Sequence, residues 1–99
     1  MLKRFVIERD LPGVGRMSEA ELGDAARVSN GALARLSGVQ WQHSYVAADK
    51  TFCLYLADSE EAIREHARLS GFPASRITEI GRIIDPTTER HFMADRASE

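Results

Sequence analysis

Few of the residues that usually advertise a function are present in this chain of 99 residues: one cysteine, one tryptophan, three histidines and three prolines. A single cysteine closes no intrachain disulfide, which excludes a disulfide-stapled scaffold and suits a reducing interior. Charge of neither sign dominates: 13 basic against 15 acidic residues give a net charge of −2. Nucleic-acid binding draws on a basic face, so DNA and RNA are not expected partners. No apolar run approaches the roughly 18 residues of a membrane span. The start, Met1 to Arg9, is basic but lacks an apolar stretch of signal-peptide length. The expectation is a cytoplasmic protein that touches neither membrane nor nucleic acid. A chain of this length forms one domain, expected over residues 1–92, followed by a polar, flexible tail at 93–99.

What is present is concentrated between Trp41 and Pro86. That stretch holds the cysteine, the tryptophan, both tyrosines and two of the histidines. Around it the chain punctuates itself clearly. Phe5-Val6-Ile7 predicts a strand over 3–9, stopped by Leu11-Pro12-Gly13. Ser18 and Glu21 have capping-box spacing. Leu22, Ala25, Ala26, Ser29, Leu33 and Leu36 then recur at helical spacing, predicting a helix over 18–37 that runs through Asn30-Gly31. Trp41–Val46 and Thr51–Ala57 form a hairpin across Ala47–Lys50. Asp58 or Ser59 caps a second helix, which Gly71-Phe72-Pro73 ends. Ile77–Ile84 is the last strand, closed by a turn through Asp85.

The order β-α-β-β-α-β is the α+β, ferredoxin-like arrangement, a four-stranded antiparallel sheet with two helices on one face. The other face has no cover, and a face-to-face homodimer is the simplest remedy. Alternation groups Phe5, Ile7, Phe52, Leu54 and Leu56 on one face and Val6, Glu8, Cys53 and Tyr55 on the other. If Trp41, His43 and Tyr45 join the second set, the open face is an aromatic interface or pocket built on Trp41, Tyr45 and Tyr55.

His43, Cys53, His66 and Glu8 are the candidate metal ligands. The sulfur and imidazole donors suit transition metals, yet their separations match no zinc-finger spacing. A register with Tyr45 opposite Cys53 sets His43 opposite Tyr55 and diagonal to the thiol. Each residue also has a structural reading: Cys53 as a small buried hydrophobe, His43 and His66 as hydrogen-bonded polar groups, Glu8-Arg9-Asp10 as a charged strand end. His91 lies in a polar segment and is expected to be solvated. No catalytic residue is assigned. His43 and Ser44 are strand neighbours and point to opposite faces, and Gly13-Val14-Gly15 lacks the ending of a phosphate loop.

Several segments together resemble a small bacterial family of nickel-binding, ferredoxin-like proteins long catalogued as a domain of unknown function. The resemblance rests on Val6 to Gly13, Trp41-x-x-Ser44-Tyr45-Val46, Asp49 to Cys53, Ile63 to Ala67, Gly71-Phe72-Pro73 and Ile84-Asp85-Pro86. It implies a homodimer that binds a divalent transition metal, nickel, for sequestration or sensing. The alternative from the residues is a cofactor-free, monooxygenase-like small enzyme. There the aromatic pocket would hold an organic ligand, and His43, His66 or Tyr45 would move protons. A blander third reading is a dimeric scaffold whose aromatics only seal the interface.

Overall fold

The structure, a computed structural model, describes residues 1–90. His91 and the tail expected at 93–99 lie outside the described residues. The elements run β1 (Lys3–Asp10), a 3₁₀ turn (Val14–Arg16), α1 (Glu19–Leu33), β2 (Val39–Val46), β3 (Lys50–Ala57), α2 (Glu60–Ser70) and β4 (Arg76–Ile80). The four strands form one antiparallel sheet in the order β2-β3-β1-β4, the ferredoxin-like arrangement.

Local chemistry sets the helix ends. Ser18 Oγ accepts from the Glu21 amide at 3.1 Å and Glu21 accepts from the Ser18 amide at 3.0 Å, a complete capping box. Ser59, rather than Asp58, caps α2 by accepting from the Ala62 amide at 3.2 Å. Gly71 ends α2 in the left-handed region at φ 79°, its amide bonded to the Ala67 carbonyl. Asp85 makes its turn as expected, accepting from the Thr87 amide at 2.8 Å. Two predicted spans are too long. The first helix stops at Leu33 instead of 37, and β4 stops at Ile80, leaving Ile83 and Ile84 exposed.

The sheet's faces differ from the expected grouping. Phe5 pairs with Tyr55 and Ile7 with Cys53, so these four residues share the helix-covered face. Val6, Glu8, Phe52, Leu54 and Leu56 share the open one, since Val6 pairs with Leu54 and Glu8 with Phe52. Both faces of β3 are apolar, so alternation alone cannot choose between them. Antiparallel register against β1 decides. The core is Phe5, Ile7, Val39, Cys53, Tyr55, Ala57 and Ile63. Phe5, Ile7 and Ile63 are among its fully buried side chains, each contributing roughly 1.5–3 kcal/mol by transfer from water.

Candidate functional site

A register shift in β2 between Trp41 and His43 redirects the residues on either side. Trp41 pairs with Tyr55 and faces the helices. Past the shift, Ser44 and Val46 pair with Cys53 and Thr51, while His43 and Tyr45 pair with Leu54 and Phe52 on the open face. Tyr45 therefore does not oppose Cys53, and His43 does not oppose Tyr55. The sequence carries no mark of this shift, because Gln42 is neither glycine nor proline.

With Glu8 set on the open face by the β1–β3 register and His43 turned there by this shift, the four candidate ligands are split across the sheet. His43 and Glu8 lie on the open face; Cys53 and His66 lie on the helix side. His43 Nε2 sits 3.3 Å from Tyr45 Oη, and the two rings meet edge-on at 5.1 Å. Glu8 is paired with Lys50, whose ammonium is 3.3 Å from its carboxylate and 5.7 Å from the centre of the Phe52 ring. Cys53 is buried, 3.5 Å from Thr51 Oγ1. His66 is fully buried against the Tyr55 ring at 5.3 Å. Its Nε2 lies 3.2 Å from Ser29 Oγ and 3.4 Å from the Ser29 carbonyl. Nδ1 has no hydrogen-bond partner among the described residues. Among the described residues no three His, Cys, Asp or Glu side chains converge. Among the described residues, His43, Cys53, His66 and Glu8 of one subunit therefore do not gather at a single point.

On the helix side a cavity of about 490 Å³ opens between α1 and the sheet. Its floor is Trp41, Thr51, Cys53 and Tyr55, and its roof is Leu22, Ala25, Ala26 and Ser29 of α1. The walls are the Leu11–Val14 segment and Phe72. The Leu11–Gly15 segment is stitched to the β2–β3 connection. Leu11 and Gly13 donate to Asp49, and Gly15 donates to Ala48, all at 2.9 Å. Trp41 Nε1 donates to Ser44 Oγ at 2.9 Å, fixing the indole.

Arg9 is a further residue whose place differs from the sequence expectation. Expected in a charged strand end, it is 3% exposed and lines the cavity. Its guanidinium donates to the Pro73 carbonyl at 2.8 Å and makes a long 3.5 Å contact with Tyr55 Oη. The signal was available: Arg9 continues the Phe5, Ile7 alternation onto the buried face. Burial pushes the Tyr55 phenol up, against the opposing pull of Arg9, and keeps it neutral. Burial, helped by the Arg9 charge, pushes the His66 imidazole down and keeps it neutral.

Comparison with known proteins agrees with the fold. A family model described as nickel responsive protein SCO4226-like matches residues 5–80. The crystal structure of SCO4226 from Streptomyces coelicolor A3(2) superposes with a TM-score of 0.69 at 18% identity. That similarity covers 82% of this chain and 99% of the other. At such identity it bears on fold alone. No curated protein matches. No helix among the described residues is long and apolar enough to cross a membrane.

Proposed function

The chain belongs to the SCO4226-like family of nickel-responsive proteins, and from that membership we propose that it binds nickel as a homodimer closed over the open sheet face. The observation that carries this reading is the character of that face. Val6, Phe52, Leu54, Leu56 and Ile80 present an apolar surface that neither helix covers, and among the described residues His43 stands on it exposed to solvent. Imidazole is a favourable nickel donor. Of the two histidines among the described residues, only His43 can be reached without opening the core. One imidazole cannot hold nickel tightly, so the remaining donors come from the second copy, with Glu8 the candidate carboxylate on the shared face. His66 and Cys53 fall outside this set because both point to the helix side.

Calorimetric titration of chelator-stripped protein with nickel tests the reading. Saturable binding at a fixed ratio per subunit is expected, weakened at least about tenfold by His43→Ala, as loss of a ligand should produce. Saturable binding that survives His43→Ala overturns the site, and no saturable heat overturns the function.

The enzymatic alternative expected Trp41, Tyr45 and Tyr55 around one pocket on the open face, whereas the cavity beneath α1 is lined by Trp41 and Tyr55 and not by Tyr45. Ser29 and His66 are in contact, yet His66 Nδ1 has no carboxylate to orient it, unlike an activated nucleophile–base pair.

A further inference from the structure

The cavity under α1 has no part in nickel binding on the open face, and its chemistry is selective. It lies within the roughly 300–1,000 Å³ range of small-molecule sites. Apolar side chains make most of its wall: Leu22, Val14 and Met17 on one side, Trp41, Val46 and Phe72 on the other. Among the described residues, Arg9 is the one charged residue that lines it.

A buried guanidinium ordinarily has a carboxylate or phosphate opposite it, because desolvating a full charge costs several kcal/mol. Arg9 has none among the described residues; its partners are a backbone carbonyl and a neutral phenol. Glu8 and Asp10, its chain neighbours, pair instead with Lys50. Two of the five guanidinium hydrogens are therefore engaged, one of them weakly, and the planar fork retains donors suited to a carboxylate. Tyr55 adds a neutral hydroxyl beside it. On α1, Ala25, Ala26 and Ser29 face the space where leucines would fill it.

We propose that this cavity binds a small organic monocarboxylate, its carboxylate on Arg9 and Tyr55 and its apolar body between Trp41 and α1. The single cation matches a monoanion, and the apolar walls exclude a ligand that is polar throughout.

Trp41 is the only tryptophan, so its fluorescence reports on the site directly. Metal-free protein is titrated with 3-cyclohexylpropanoate, its neutral amide and acetate, followed by fluorescence and by amide shifts in ¹⁵N-labelled protein. The acid is expected to bind saturably, at least tenfold tighter than the amide or acetate, with shifts at Ser29 and Thr51. Arg9→Met keeps the stem's bulk, removes the charge and should erase the preference for acid over amide. Ala26→Leu fills the cavity and should block both ligands while the fold persists, so the test stands even if the Arg9 variant fails to fold. Equal affinity for acid and amide, binding that survives Ala26→Leu, or shifts confined to Phe52 and Leu54 on the open face would overturn the proposal.

Discussion

His66 shows how one side chain can look like a ligand and serve as a core group. It lies on the inner stripe of α2 and is held neutral by burial and by the Arg9 charge. In the unfolded chain it titrates near the ordinary imidazole value of 6.5. With its folded pKa below that value, the unfolded state binds the extra proton first as pH falls. The stability His66 contributes is thus complete above pH 6.5 and is lost as pH drops toward its lowered folded pKa. Thermal unfolding from pH 7.5 to 5 should show wild type losing up to about 1.4 kcal/mol per pH unit in that window. His66→Phe, which keeps an aromatic ring against Tyr55, should remove that part of the slope; an unchanged slope would assign the loss to other groups. Arg9 is the complementary case. Its charge made it look like surface, whereas its place in the alternation predicted burial.

Among the elements, the wall that closes one side of the cavity depends on a backbone-to-backbone approach. A Cβ on Gly15 would sit 2.7 Å from the Ala47 carbonyl oxygen and 2.8 Å from the Ala48 Cα, so neither neighbour can yield by rotating a side chain. Gly15→Ala should therefore destabilise the protein by roughly 1–3 kcal/mol, as overpacking does. A Cβ on Gly23, inside α1, would instead meet nothing within 4 Å. Gly23→Ala should raise stability by about 1 kcal/mol through helix propensity. Paired denaturant melts check both signs. The Ser18 capping box, the hairpin and the Gly71 stop were legible, because each is a contact within a few residues, whereas the α2 cap was narrowed only to Asp58 or Ser59. The end of α1 was not. Leu36 continues the helical spacing, but the chain leaves the helix before it and enters β2 through Gly38 at φ 74°.

For the whole molecule, the decisive surface is the one the helices leave bare. If two copies close over it, a charge at its centre should separate them. Leu54→Glu is expected to shift sedimentation from dimer to monomer at micromolar concentration and to abolish saturable nickel binding with it. A wild-type protein that sediments as a monomer would remove the shared site altogether.

The sequence by itself determined the element order, the Ser18 cap of α1 and the ferredoxin-like class, since hydrophobic period and capping chemistry are local and additive along the chain. It also held the family resemblance that the match over 5–80 bears out. Tertiary structure alone decided which face of β3 goes under the helices, because Phe52-Leu54-Leu56 and Cys53-Tyr55-Ala57 are both apolar and only register distinguishes them. It likewise divided the four candidate ligands between two faces: the β1–β3 register sets Glu8 on the face opposite Cys53, and one unpaired residue in β2 turns His43 to the same open face. And it drew Arg9, Ser29, Trp41 and Tyr55 from three strands and a helix to one cavity, a proximity that no spacing along the chain encodes.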